Sequence, residues 1–312
     1  MKKSIPKFFA KSALQRGEIA SKERSYNDGI EIQLLSELVN GEIENYSYAL
    51  ETFDLKEFED VNITAVHAPI LSAYGLSDVN IETLCCSNNF KLLDQTCFIA
   101  NYFGQIHKRQ TIVIIHSESC LLNMRLNDDN WKRVLNAIGC LLLKYPYIEI
   151  AIENVTPLRG VDKGRIHLAN NFQFDNVEMA LELRKQLKTT RIGTVLDTCH
   201  AEMTNMTMSA ILNFYKEEHY LPENDFSMED FFRENKDVVK LIHLSKTVGS
   251  GMGEGRHGQP FNDGDEDIIK KYLDLYNKYE YTCPITLEVA ETDYYISDGY
   301  AKSIELVLKY FN

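Results

Sequence analysis

Short apolar runs recur through this chain at near-regular intervals, and six successive ones end in the same kind of residue. Val66 is followed by His67, Ile115 by His116, Ile152 by Glu153, Leu196 by Asp197, Ile242 by His243 and Leu287 by Glu288. The runs themselves (Ile30–Leu34, Val61–Val66, Thr111–Ile115, Ile148–Ile152, Ile192–Leu196, Val238–Ile242 and Ile285–Leu287) are rich in β-branched residues and nearly unbroken by polar ones. That pattern suits strands of a parallel sheet covered on both faces. Stretches with helical spacing lie between them, over Trp131–Leu143, Val177–Leu187 and Ile268–Tyr279, and Ala301–Tyr310 closes the chain.

The run ends fall at 67, 116, 153, 197, 243 and 288, in steps of 49, 37, 44, 46 and 45 residues. A βα unit of an eight-fold barrel takes about 30 residues, more with insertions. With Ile30–Leu34 and a weaker opening run at Pro6–Ala10, the count reaches eight strands. A doubly wound open sheet would carry a glycine-rich turn after its first strand, and none is present. The expectation is one α/β domain over residues 1–312, a (β/α)8 TIM barrel.

Composition narrows the function classes. With 44% hydrophobic residues and aromatics throughout, the chain is globular and not disordered. Its 46 acidic against 33 basic residues give a net charge of −13, which speaks against a broad basic face gripping a duplex. A metal-lined cleft is still able to supply local positive charge. No apolar run approaches membrane-spanning length, and Phe8-Phe9-Ala10 is too short for the core of a signal peptide. The seven cysteines form no CxxC pair and read as free thiols of a reducing cytoplasm. A cytoplasmic protein is therefore expected, with no membrane association and no protein partner indicated.

Two segments break the rhythm. Lys216–Asp237 is strongly acidic and reads as a solvated extension of the crossover after the sixth strand. Lys246–Gly258 holds five of the sixteen glycines directly after the seventh strand, which predicts a mobile loop above the barrel mouth.

In a barrel of this kind the C-terminal strand ends form the floor of one pocket, so the six terminal side chains converge. His200 and His257 lie just beyond strand ends as well. Each alone is unremarkable. Crowded together without a cation, buried carboxylates and imidazoles would repel one another and lose hydration worth several kcal/mol each (about that order). A divalent metal removes that penalty, and imidazole mixed with carboxylate points to zinc, manganese or iron. Glu153, Asp197, His243 and Glu288 suffice for one ion. Two or three ions would also use His67, His116, His200 and His257.

The segments Val66-His67-Ala68-Pro69, Ile115-His116-Ser117, Ile152-Glu153-Asn154, Asp197-Thr198-Cys199-His200, His243-Leu244-Ser245-Lys246, Arg256-His257 and Leu287-Glu288 resemble endonuclease IV. That three-zinc apurinic/apyrimidinic endonuclease family belongs to the xylose isomerase-like barrels. The resemblance runs in order from about residue 61 to 290, with Asp197-Thr198-Cys199-His200 its most specific element. It implies one metal on His67, His116 and Glu153, a second on Glu153, Asp197, His243 and Glu288, and a third on His200 and His257. It further implies hydrolysis of abasic-site DNA, with Glu288 orienting or deprotonating the attacking water. Lys246 and Arg256 would contact phosphate. The sequence departs from the family at Gly255, where an aspartate is usual, and at Ile70, where an aromatic is usual.

A second function fits the same barrel. A sugar or sugar-phosphate isomerase or epimerase would hold one metal on Glu153, Asp197, His243 and Glu288, and the two glutamates would shuttle a proton at carbon. There His200 would bind substrate and His67 and His116 would line the pocket. The expected partner is thus abasic DNA or, alternatively, a small sugar.

Overall fold

The computed structural model describes residues 5–34, 54–69, 81, 84, 87–117, 128–155, 158–162, 165–168, 175–214, 227–248 and 256–311. Eight parallel strands close into a barrel: β1 (Phe8–Ala13), β2 (Gly29–Gln33), β3 (Ile63–His67), β4 (Thr111–His116), β5 (Ile148–Glu153), β8 (Ile192–Asp197), β9 (Val239–Leu244) and β12 (Ile285–Leu287). They pair in that order, and β12 closes on β1 through Phe9 opposite Thr286. Two hairpins stand apart: β6 (Leu158–Asp162) with β7 (Arg165–Leu168), and β10 (Lys246–Val248) with β11 (Arg256–Gln259).

The crossovers carry helices α1 (Arg16–Glu23), α2 (Ser87–His107), α3 (Asp128–Lys144), α4 (Asp175–Leu187), α5 (Thr198–Phe214), α6 (Met228–Asn235) and α7 (Glu266–Lys278), and α8 (Asp298–Lys309) ends the fold. Their apolar spacing explains how they pack. In α3, Val134, Ile138, Leu141 and Leu142 are buried on one side while Leu143 faces solvent. In α7 the buried stripe is Ile269, Tyr272, Leu273 and Tyr276. Helix α6 starts at a reciprocal cap in which Ser227 Oγ accepts from the Asp230 amide and Asp230 accepts from the Ser227 amide. Part of the acidic segment expected as a solvated extension is this helix, with Phe231 and Phe232 buried. At Gly193 the strands approach so closely that a Cβ would collide with the Val238 carbonyl oxygen.

The barrel interior explains the site. Phe9, Ala65, Ile114, Ala151, Val195 and Leu241 form a separate buried cluster, one residue from each of six strands. Side chains alternate between the faces of a strand, so the next inward position lies two residues on. Those positions are Lys11, His67, His116, Glu153, Asp197 and His243. An apolar plug thus fills the barrel, and the layer above it is entirely polar. The remaining strands contribute Glu31 from β2 and Thr286 and Glu288 from β12 and the residue after it.

Strand β1 differs from expectation. It runs Phe8–Ala13 instead of Pro6–Ala10, because Lys11 and Ser12, which interrupt the apolar run, stand at the mouth where polar side chains have partners. The glycine-rich segment also differs at its described ends, which pair as the β10–β11 ribbon. Gly249–Gly255, including the Gly255 departure, lies outside the described residues, as does Ile70. Among the described residues no helix is long and apolar enough to cross a membrane.

Candidate metal centre

The polar layer brings most of the expected ligands together. Ligand atoms of Glu153, Asp197, His243 and Glu288 all lie within 4.8 Å of one another, and those of His67, His116 and Glu153 form a second such group. Glu153 is common to both. The strand register makes this unavoidable, since His116 pairs with Glu153 and Asp197 pairs with His243 across neighbouring strands.

The inner group is internally fixed, with Glu153, Asp197 and His243 buried and Glu288 partly exposed. His243 Nε2 donates to Glu31 Oε2 at 2.9 Å, and the Thr286 hydroxyl donates to the same oxygen at 2.8 Å. This leaves His243 Nδ1 facing Glu288 Oε2 at 2.7 Å, Glu153 Oε1 at 3.4 Å and Asp197 Oδ2 at 3.8 Å. His243 Nδ1 and Glu288 Oε2 are buried and have no hydrogen-bond partner. Two unsatisfied buried atoms aimed at one point, in a set of one imidazole and three carboxylates, fit ligation of a divalent cation. Asn154 clasps the adjoining strand ends: its side chain donates to the Asp197 carbonyl at 3.1 Å and accepts from the Asp197 amide at 2.8 Å.

The outer residues are equally placed. His67 Nδ1 donates to the Ala68 carbonyl at 2.8 Å, which turns Nε2 toward Glu153 Oε2 at 3.0 Å. His116 Nε2 is 3.9 Å from that same oxygen. His200 Nδ1 donates to the Asn154 carbonyl at 2.9 Å, and its amide donates to Asp197 Oδ1 at 2.6 Å. His200 and His257 approach with ring centroids 5.7 Å apart. Among the described residues no third ligand joins that pair.

The electrostatics are those of a site built for added positive charge. Burial resists ionisation of Glu153, but His243, His200 and His67 outweigh it and hold the carboxyl well below the usual range. Burial likewise resists ionisation of Glu288, and Lys11 and His243 reverse it. Asp197 goes the other way, pushed up to about 6 by burial beside Glu288 and Glu153. The carboxylates of Asp197 and Glu153 overcome burial at His200 and raise it to about 9. His243 is raised well above its ordinary value in the same way, mainly by Glu31 and Glu153 acting against burial. His257 is lowered by burial and by His200.

A cavity of about 240 Å³ opens onto Glu288, lined among others by Lys11, Glu18, Gln33, His257 and Tyr294. Lys246, one of the two residues expected to contact phosphate, is not among the described residues that line it. Lys246 Nζ is engaged by Asp265 Oδ2 at 2.5 Å, and Arg256 stands on β11 with its side chain outside the described part. Gly258, in the left-handed region at φ 66°, turns β11 so that its carbonyl accepts from the Ala290 amide at 2.6 Å, which brings His257 to the cavity rim.

Two charged residues at the centre, Glu31 fully buried and Lys11 partly so, were not singled out from the sequence. Glu31 interrupts Ile30 and Ile32 in a strand covered on both faces, and Lys11 interrupts the opening run. A charge inside such a strand is itself a signal, because it is retained only where a partner is waiting.

A closed parallel barrel with a histidine and carboxylate cluster at its C-terminal mouth defines a barrel of the (β/α)8 class whose mouth could hold a divalent cation. Residues 32–310 match the xylose isomerase-like TIM barrel family, and the chain belongs to it. No curated protein matches the chain by sequence. Among solved structures it is similar to 3-keto-D-glucoside 4-epimerase from E. coli, at 11% identity and TM-score 0.55 over 98% of this chain and 100% of that one. It is similar to D-allulose 3-epimerase from Methylomonas sp. in complex with D-allulose, at 14% identity and TM-score 0.57 over 97% and 96%. AP endonuclease, family 2, from Brucella melitensis matches at 11% identity and TM-score 0.50 over 93% and 95%. At these identities the likeness is one of fold. The resemblance to endonuclease IV therefore holds at the level of the family, and the structural likeness does not single out that enzyme.

Proposed function

We propose that the protein is a divalent-metal-dependent isomerase or epimerase acting on a small sugar or related hydroxy-ketone. The observation that carries this reading is the pair of glutamates facing each other across His243, Glu153 buried and Glu288 bordering the cavity. Two carboxylates on either side of one carbon are what a proton exchange at that carbon requires, one removing and the other returning it. The metal would polarise the adjacent hydroxyl and carbonyl oxygens. Glu153, Asp197, His243 and Glu288 would hold it.

The remaining side chains serve that chemistry. Glu31 fixes the ring of His243, and His67 orients Glu153 through Nε2. His257 and Tyr294 border the space the substrate would occupy. A cavity of about 240 Å³ lies below the range of about 300–1,000 Å³ typical of drug-sized ligands and suits a molecule of a few carbons with its hydroxyls. The net charge of −13 also favours a small uncharged substrate over a nucleic acid. The epimerases among the similar structures are in keeping with this choice.

Phosphodiester hydrolysis at abasic sites is the second reading, and the specific observation in its favour is the His67, His116 and Glu153 group, a ready second metal position. One experiment separates the two. Protein loaded with Mn²⁺, Zn²⁺ or Fe²⁺ is incubated in D₂O with a panel of ketoses, and in parallel with abasic-site duplex DNA. Deuterium at the carbon beside the carbonyl, with a new epimer or isomer, is expected. Strand nicking with no exchange on any ketose would replace this reading with the hydrolytic one.

A further inference from the structure

Four side chains at the barrel mouth close into a ring. Lys11 Nζ donates to Glu288 Oε1 at 2.7 Å and lies 3.5 Å from Glu31 Oε1. Glu31 Oε2 accepts from His243 Nε2 at 2.9 Å, and His243 Nδ1 lies 2.7 Å from Glu288 Oε2. The members come from β1, β2, β9 and the residue after β12. Lys11 is the only cation by side-chain type among them, is just 11% exposed, and borders the cavity.

The ring has two consequences. Glu288 has one oxygen committed to Lys11, so Oε2 is the oxygen left facing His243 Nδ1. At the same time a permanent positive charge stands against a group that would ligate a divalent cation, and like charges at this range repel. A lysine here works against metal affinity, so binding of the metal does not account for it. Neutralising buried carboxylates for folding would account for it, and so would orienting Glu288.

We propose that Lys11 is a positioning residue for Glu288, holding Oε1 so that Oε2 alone is presented to the reacting centre, with weaker metal binding as the consequence. The turnover half of this inference rests on the isomerase or epimerase reading. The metal half does not.

The test compares Lys11→Met and Lys11→Arg with the wild type, all as full chains stripped with chelator. Mn²⁺ binding is titrated calorimetrically, and kcat and KM are measured on a ketose the wild type converts. Lys11→Met is expected to bind Mn²⁺ about tenfold more tightly. Its kcat should fall about 10- to 100-fold with KM nearly unchanged. Lys11→Arg should recover part of kcat and the weaker Mn²⁺ binding. Mn²⁺ binding that is unchanged or weaker in Lys11→Met overturns the proposal, as does an unchanged kcat or an effect confined to KM. If Lys11→Met does not fold, Lys11→Gln is read in the same way. Failure of both to fold makes Lys11 a structural neutraliser and overturns the proposal too. A wild type inactive on every ketose sinks the epimerase reading, and the same kcat comparison is then made on abasic DNA while the Mn²⁺ comparison stands as it is.

Discussion

Glu31 Oε2 accepts the Nε2 hydrogen of His243 at 2.9 Å, with both side chains fully buried, and this contact decides which nitrogen His243 offers the site. A carboxylate behind a ligating histidine fixes its tautomer and ring orientation and raises its basicity. Glu31→Gln keeps the shape but not the charge. Metal affinity should drop about 10- to 100-fold, measured by competition with a calibrated chelator, while the fold persists. Affinity within about twofold of the wild type would remove Glu31 from the metal site. The sign is opposite to that expected at Lys11, although the two side chains touch the same ring.

His67 and His116 decide the number of metals. In the reading favoured here they surround Glu153, His67 at 3.0 Å and His116 at 3.9 Å, and they are not required as ligands. Purified without chelator, the protein should carry one tightly held ion per chain, counted by elemental analysis. His67→Ala combined with His116→Ala should keep that ion while turnover declines. Two or three ions in the wild type, one of them lost in the double variant, would restore the phosphodiesterase reading.

Much of this site was legible in the sequence, and the reason is geometric. A barrel strand ends where its last inward residue meets the pocket, so an apolar run followed by His67, His116, Glu153 or Asp197 shows both the strand and the residue it brings to the mouth. His243 and Glu288 fall within one residue of the ends of β9 and β12 for the same reason. Lys11 and Glu31 were not legible because they sit inside strands, where run-based reading treats a charge as an interruption. Their partners, Glu288 and His243, are 277 and 212 residues away, so only the closed sheet brings them together. The contact that Lys246 makes was not legible for the same reason, since Asp265, which engages it, lies beyond the β10–β11 ribbon.

The histidine shifts give the metal-free protein a pH signature. His200 is raised from 6.5 to about 9, the carboxylates of Asp197 and Glu153 outweighing burial. A group held protonated by the folded state contributes fully below its unfolded value, about 6.5, and loses that contribution as pH rises through its folded value. His243 is shifted in the same sense, and Asp197, at about 6, adds a decline of the same sign at lower pH. Thermal stability in excess chelator should therefore fall between about pH 6.5 and 9. Saturating Mn²⁺ should flatten the slope, because the cation replaces the protons. Melting curves in parallel buffers decide it, and a melting temperature that is level or rising across that window in chelator contradicts the assignment.

The last prediction concerns the support beneath the cavity wall. Lys22 on α1 and Glu291 after β12 form an ion pair at 2.7 Å with side chains only 1% and 2% exposed. The Lys22 ammonium lies 5.2 Å from the Tyr300 ring centroid, and Glu291 also accepts the amide hydrogens of Gly299 and Tyr300 at the start of α8, each at 2.8 Å. Removing one member of such a pair strands the other charge out of water, which costs about 3–5 kcal/mol, far more than the pair itself contributes relative to apolar replacements. Glu291→Ala should lose stability on that scale in urea unfolding, with the lost caps adding to it. Lys22→Met with Glu291→Leu should recover most of the loss, because no unpaired charge remains buried. Tyr294 of the same loop borders the cavity and its carbonyl accepts from Ser21, so the single variant should also raise KM more than it lowers kcat. A stability loss below about 1 kcal/mol would show that water reaches the pair, since exposed pairs are worth no more than that.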